Sequence, residues 1–256
     1  MIQPVSQKRV DNMQRRAVRL TGLVEDSQGG SDRLPPGQSL VKQGFPVLDL
    51  GIHPEIDLDT WSLVISIPGQ PDVTYDWISW GKLPTIELMH DIHCVTAWSV
   101  FDANFIGVAT QEIVTRSNLG PQFTHVLVHS ADGYSANLAI EDFLAPGCLF
   151  ATHLNSEPLS VSHGGPLRLV VPHLYYWKSP KWVARVEFLT EDQPGFWEQR
   201  GYHNRGNPWR QERYGPKQKV IQNTESLEAN TTPGNQALPS LTRWERIRRW
   251  YVEHFG

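Results

Sequence analysis

Residues 90–99 read HDIHCVTAWS, and the cysteine in that run is the first residue whose chemistry needs an account. The chain has two cysteines, Cys94 and Cys148. Cys94 admits three readings. It is a small buried hydrophobe, the commoner fate of an isolated cysteine. It is a nucleophile paired with a histidine, with His90, His93 and His125 available in sequence. Or it is a ligand for a soft or high-valent redox metal, which a thiolate suits. Zinc is poorly supported: there is no CxxC and no HExxH, and His90, His93 and Cys94 make an unusual local cluster. These residues alone do not separate the three.

A second stretch, HGGPLRLVVPHLYYWKSPKW at 163–182, carries charge where a strand is expected. The pair Gly164-Gly165 permits close backbone approach. Arg168 sits among Leu and Val, and a buried guanidinium needs an anion or a carboxylate. Lys178, Ser179 and Lys181 follow. His163, Arg168, Ser179 and Lys181 together suit a phosphate: a fork donor, a point charge and a hydroxyl. The competing reading is an Arg–Asp pair with ordinary surface lysines.

The elements that must position these groups are short. Strands are expected at 61–67, 85–89, 125–129, 167–171 and 182–189, where β-branched and aromatic residues cluster. Asp132-Gly133 signals a hairpin. A helix is expected at 105–116 (FIGVATQEIVTR), and one turn at 140–144. Strands dominate with short helices inserted, so the fold class is α+β. Residues 1–40 are polar and end in SQGGSDRLPPGQS, which reads as an arm. Residues 41–215 form the domain. Residues 216–240 read as a linker. Residues 241–256 read as an amphipathic helix with Leu241, Trp244, Ile247, Trp250 and Tyr251 on one face and arginines around it.

Composition narrows the class. Of 256 residues, 39% are hydrophobic and 20% charged, enough for a sizeable core. A net charge of −4 argues against a global field for nucleic acid or membrane. No apolar run approaches the ~20 residues of a membrane span, and the basic N-terminus has no apolar signal region. The expected location is the cytoplasm, where two cysteines make no disulfide framework. Ten tryptophans fit a rigid core and an aromatic cleft.

The segments DIHCVTAWS, HGGPLRLVVPHLYYWKSPKWV and PGFWEQRGYHNRGNPWRQERY together resemble the molybdopterin-binding catalytic domain of the sulfite oxidase family, in particular its haem-free bacterial branch. FPVLDLGIHPEIDLDTWSLVISI and HVLVHSADGYSANLAIEDFL match more weakly, in the family's order. The resemblance covers about residues 41–214. It implies a mixed, strand-rich molybdopterin fold and a molybdenum–molybdopterin cofactor. It makes Cys94 the protein's metal ligand, with the other sulfurs supplied by the pterin. A metal-bound thiolate is deprotonated without a base of its own. His163, Gly164 and Arg168 are implied as pterin or phosphate contacts, and Ser179 and Lys181 as phosphate contacts. Asp49 is a weaker pterin candidate, because polar family residues are replaced here by Val47-Leu48-Asp49. His93 and Thr96 are candidates for hydrogen bonds near the metal, from adjacency to Cys94. Cys148 matches no ligand motif and reads as packing.

Two departures concern substrate. Sulfite-oxidising members carry arginines just after the cysteine, where this chain has VTAWS. They also carry a tyrosine before the HG motif, where this chain has ATHLNSEP. A dianion needs compensating charge in a dry site; His90, His93 and Arg116 are the nearby cations in sequence. The pattern is nearer the sulfoxide-reducing branch, with Trp98 a candidate pocket wall as well as a core residue. The implied reaction is two-electron oxygen-atom transfer on a sulfoxide-type or other neutral oxo substrate, small or protein-bound. No CxxCH is present, so a separate electron-transfer partner is expected. No nucleic acid is expected, and membrane contact only through the C-terminal helix. The alternatives are a cofactor-binding protein without turnover and a Cys-His thiol enzyme.

Overall fold

The structure is a computed structural model and describes residues 7–8, 10–13, 32–51, 53–117 and 119–215. The expected linker, the expected C-terminal helix and most of the expected arm lie outside the described residues. In chain order the first elements are β1 (Ser39–Leu40), β2 (Ser62–Ser66), β3 (Val73–Asp76), α1 (Trp77–Trp80) and β4 (Ile86–His93). Next come β5 (Trp98–Ala109), α2 (Thr110–Ser117), β6 (His125–Ser130), β7 (Ser135–Ala139) and α3 (Ile140–Phe143). The last are β8 (Leu149–Leu154), β9 (Glu157–Pro158), β10 (Arg168–Val170) and β11 (Val183–Leu189). The mixed, strand-rich α+β reading holds.

Two sheets result. One has β1, β5, β8 and β10 side by side, with β4 paired to β5 and β9 to β8. The other runs β3-β2-β11-β6-β7. The pairings of β1 with β5 and of β11 with β2 are parallel; the other pairings of these strands are antiparallel. Period-2 alternation buries Leu63 and Ile65 from β2, Val126 and Val128 from β6, and Val186 and Phe188 from β11. They meet Val108, Phe150 and Leu169 from the first sheet. Each such side chain contributes about 1.5–3 kcal/mol of transfer free energy. A second cluster contains Ile92, Cys94, Trp98, Phe105, Leu149 and Val170. A third gathers Val10, Leu50, Tyr175, Trp177, Phe196, Trp197 and Tyr202.

The five expected strands overlie β2, β4, β6, β10 and β11. The Asp132-Gly133 hairpin joins β6 to β7, with Gly133 at φ +89° and Asp132 accepting from the Tyr134 N–H at 3.0 Å. The expected helix at 105–116 is corrected. Its first half is the end of β5, and helix begins only at Thr110. Burial alternates through Ala103, Phe105 and Gly107, a strand pattern that the apolar stripe concealed. A Cβ on Gly107 would lie 2.1 Å from the Phe150 carbonyl oxygen, so β8 closes on this position. The structure also places Ser39 and Leu40, read as arm, in the first sheet beside Trp98 and Ser99.

Candidate active site

β4 delivers His93 and then Cys94. A tight turn follows: the Cys94 N–H donates to Trp98 O at 2.9 Å and the Ala97 N–H to Cys94 O at 3.0 Å. Ala97 takes φ +73°, a left-handed conformation that costs energy for a residue with a Cβ. Two remote side chains hold the turn. Gln38 Nε2 donates to the Cys94 carbonyl at 3.0 Å, and Arg213 Nη1 donates to the Val95 carbonyl. The Cys94 sulfur is buried and accepts from the Thr96 hydroxyl at 3.2 Å. Burial pushes its pKa up, opposed by the Thr96 contacts and by Arg213.

His93 turns elsewhere. Its Nδ1 pairs with Ser99 Oγ at 2.8 Å and its ring meets Trp209 edge-on. Burial lowers its pKa to about 4, so it is neutral at pH 7. The sequence-adjacent candidates therefore divide: Thr96 touches the sulfur, while His93 contacts Ser99. Among the described residues the Cys94 sulfur's hydrogen bond is to Thr96 and not to a histidine.

The HGGPLR segment forms a cationic wall. His163 ends a 3-10 turn, and Gly164 follows at φ +99°. A Cβ on Gly164 would lie 2.8 Å from Lys181 Cβ, so glycine lets the two segments close. Arg168 is 2% exposed. Its guanidinium donates to His163 O at 2.8 Å and Ser179 O at 2.9 Å and stacks over Tyr176 at 4.2 Å. No carboxylate lies within ion-pair range of it among the described residues. Burial works against this charge. The Arg–Asp pair weighed in the sequence is thus absent at Arg168. Lys181 donates to Ser162 O at 2.6 Å and lies 3.6 Å from Asp49. Burial, then Arg168, lowers its pKa to about 8. Burial, Arg168 and Lys181 bring His163 down to about 4. Ser179 Oγ accepts from the Val171 N–H at 3.0 Å. Asp49 accepts from Gly51 N–H and pairs with His53, both at 2.9 Å. Burial alone would raise its pKa, but His53 and Lys181 outweigh that and hold it low.

Cys94 and this wall meet through aromatic rings. Phe45 contacts Trp98, His163 and Tyr176 with centroids 6.0, 5.3 and 5.7 Å away. Among the described residues, three buried polar atoms here have no hydrogen-bond partner: Trp98 Nε1, the Tyr176 hydroxyl and the Tyr175 hydroxyl, the last with Gln38 and Arg213 acting on it. Each such group costs about 1–3 kcal/mol unless something else satisfies it.

Sequence reasoning missed Gln38, Tyr176 and Arg213. Arg213 lay inside a quoted motif, PWRQERY, but nothing in its spacing pointed to Val95. Two other expectations are corrected. Lys178 is no surface lysine: it is fully buried against Glu198 at 2.6 Å. Arg116, a possible substrate cation, is on α2 and pairs with Glu112 at 2.6 Å. His90 packs beside Gly147. Cys148 is buried, with burial and Asp142 pushing it to about 12, so it is a thiol in the core.

The family described as oxidoreductase molybdopterin binding domain matches residues 50–197. The chain belongs to this family of sulfite oxidase-type molybdopterin oxidoreductases. It is 40% identical over 185 residues to the uncharacterized oxidoreductase YuiH of Bacillus subtilis, covering 72% of this chain and 93% of YuiH. It is 26% identical over 171 residues to the protein-methionine-sulfoxide reductase catalytic subunit MsrP of Gluconobacter oxydans, 58% of this chain and 54% of that one. To human mitochondrial sulfite oxidase it is 23% identical over 220 residues, 72% of this chain but only 40% of the relative. Among solved structures, the sulfane dehydrogenase SoxCD of Paracoccus pantotrophus shares the fold, with TM-score 0.53 and 14% identity over 75% of this chain and 58% of that one.

The family's cofactor is molybdenum bound by molybdopterin. The residues present fit it. Among the described residues no group of three or more His, Cys, Asp or Glu is placed to hold a metal. A single cysteine fits what the resemblance implies, a metal whose other ligands would come with the cofactor. The uncompensated Arg168 and the partly desolvated Lys181 suit an anionic phosphate. Trp98 Nε1 and Tyr176 OH, both unpartnered among the described residues, belong to the cluster that contains Cys94, and Tyr176 also lies against Arg168.

Proposed function

We propose that this oxidoreductase performs two-electron oxygen-atom transfer on a sulfoxide-type or other neutral oxo substrate, in the cytoplasm. Reduction of a sulfoxide balances as one sulfoxide, two electrons and two protons giving one thioether and one water: the sulfur–oxygen bond breaks and the oxygen leaves with both protons. When bound, the cofactor would supply the two-electron redox chemistry, and the protein would position and tune it. Cys94 would hold the metal. Arg168, Lys181, Ser179 and His163 would hold the phosphate and pterin side, and Asp49 would orient Lys181 and His53.

The observation that carries the reading is the Cys94 turn: one buried sulfur, one hydroxyl donor, and a backbone fixed at two carbonyls by Gln38 and Arg213. This arrangement lets the sulfur stay put while electrons move. The surroundings favour a neutral substrate. Trp98, Tyr134 and Tyr176 are aromatic, and Arg213 is the cation that acts on the Cys94 sulfur. A dianion would need more charge than that. Similarity to MsrP, named a methionine-sulfoxide reductase, supports the same choice, and the absence of a CxxCH motif supports a separate electron carrier.

The test is molybdenum and pterin content of the purified protein, with reductive turnover of methyl sulfoxides, N-oxides and protein methionine sulfoxide from an artificial donor. Near one metal and one pterin per chain with sulfoxide turnover is expected, and both metal and turnover should disappear in Cys94→Ser. Sulfite oxidation without sulfoxide reduction would overturn the substrate choice. Full turnover in Cys94→Ser would overturn the site.

A further inference from the structure

The Tyr176 phenol is the odd group in this site. Its ring is ordinary packing: it contacts Phe45 and Trp98 and lies under the Arg168 guanidinium. Its hydroxyl is different. The oxygen is buried, no group among the described residues donates to or accepts from it, and Cys94 lies within its electrostatic reach. Phenylalanine would fill the same volume and give Arg168 the same aromatic face without stranding a polar atom. Tyr134, which is half-buried, does have a partner, the Trp177 carbonyl, and the adjacent Tyr175 hydroxyl, also buried without one, has Gln38 and Arg213 acting on it. The hydroxyl of Tyr176 therefore costs the cofactor-free protein stability and must be offset by something that binds.

We infer that Tyr176 donates a hydrogen bond to the bound molybdopterin cofactor, in the stretch between the Cys94 sulfur and the Arg168 guanidinium, and is a cofactor-retaining residue. The assignment rests on the cofactor occupying the Cys94 site. Three observations place the donor. It shares one apolar cluster with Cys94. It touches Arg168, a buried cation that has no carboxylate among the described residues. Its oxygen is sealed from water, so an acceptor arriving with a ligand meets a donor already desolvated. A pterin ring system is rich in carbonyl and ring-nitrogen acceptors, which suits a phenol that has a proton to give and no other use for it. Burial pushes the phenol pKa up to about 12, so the proton is present throughout the neutral range.

A stranded hydroxyl and a ligand-satisfied hydroxyl predict opposite effects of one isosteric change. In cofactor-free protein, Tyr176→Phe removes an unsatisfied buried group, and Tm should rise by about 2–4 °C. In cofactor-loaded protein the same change removes a hydrogen bond, and the pterin should dissociate about tenfold faster. The experiment measures Tm of wild type and Tyr176→Phe expressed without molybdopterin, and pterin release from loaded protein by fluorescence of the freed, oxidised pterin. Tyr134→Phe serves as the comparison, because its hydroxyl already donates to the Trp177 carbonyl, so its loss should lower Tm and leave pterin release unchanged. A Tm gain with faster release supports the inference. A Tm loss, or unchanged release, overturns it. So does unchanged release with a raised KM, which gives the hydroxyl to the substrate. If wild-type protein takes up no pterin at all, the cofactor reading fails instead, and that is read from the wild type alone.

Discussion

The guanidinium of Arg213 donates to the carbonyl oxygen of Val95, the residue that follows the site cysteine. The two residues are 118 apart in sequence, and Gln38, 56 residues before Cys94, holds the preceding carbonyl. The same guanidinium lies 5.0 Å over the Tyr175 ring. One arginine thus fixes the backbone beside the sulfur and sets positive charge near it. A charge-assisted hydrogen bond of this kind contributes about 1.5–3 kcal/mol. Arg213→Ala should lower kcat roughly 10–100-fold at unchanged molybdenum content. Arg213→Lys should recover part of that, because charge returns but the planar fork does not. Steady-state kinetics on variants matched for metal content check it; wild-type kcat in Arg213→Ala would give Gln38 the whole task.

Arg168 makes a second prediction. Its charge is sealed at 2% exposure with three carbonyls and a ring as its company. A buried cation left in this state is expensive unless an anion joins it. Arg168→Met should therefore fold well without cofactor yet retain little pterin. Arg168→Lys should also retain little, because one ammonium cannot span the His163 and Ser179 carbonyls and still face a phosphate. Pterin content after gel filtration measures both. Full retention in Arg168→Met would move the phosphate away from this wall.

Asp142 gives a pH dependence. It is buried, which alone would raise its pKa, but His173 at 3.0 Å and a bidentate Arg205 outweigh burial and hold it at about 2. The folded value is below the ordinary carboxylate value. The stabilisation is thus fully present above about pH 4 and lost as pH falls through about 2. A shift of this size corresponds to about 2 kcal/mol. Arg205 belongs to the 202–214 segment, which also carries Arg213, so the ion pair anchors that segment to α3. Urea unfolding at pH 6 and pH 3 should show wild type losing about 1 kcal/mol more stability than Asp142→Asn, roughly half of the full contribution, because pH 3 still lies above the folded value. Equal losses would remove Asp142 from the acid response.

The strands were legible because β-branched runs alternate, and the burial of Arg168 because it stands inside an apolar strand. Cys94 with Thr96 was legible because neighbours in sequence share a turn. The helix expected at 105–116 was not, because an apolar stripe over twelve residues satisfies both periods until β8 is seen pressing on Gly107. Gln38 and Arg213 were illegible for a different reason. Their partners are backbone carbonyls, which every residue has, so no pairing signal exists in the residue types. Tyr176 was hidden in an aromatic run where only an unsatisfied oxygen marks it out.

Lys178 shows the same limit and carries the last prediction. Charged residues are almost never fully buried unless paired, and a surface position for this one was the competing reading of the sequence. The structure buries it completely, with Glu198 at 2.6 Å and Asn137 O and Oδ1 at 2.8 and 2.9 Å. Trp177 Nε1 donates to the same Glu198 oxygen at 2.8 Å. Burial lowers the lysine pKa and Glu198 opposes it. This pair ties the 176–178 turn, which precedes Ser179 and Lys181, to the turn at Glu198. Removing one partner leaves a buried charge alone, so Lys178→Met should destabilise by about 3–5 kcal/mol. Removing both, as Lys178→Met with Glu198→Met, should cost much less, because the desolvation penalty goes with the charges. Chemical denaturation of the two single variants and the double variant measures the coupling. Additive losses would mean the two side chains do not act as a pair, and the turn would then owe its position to Trp177 and Asn137.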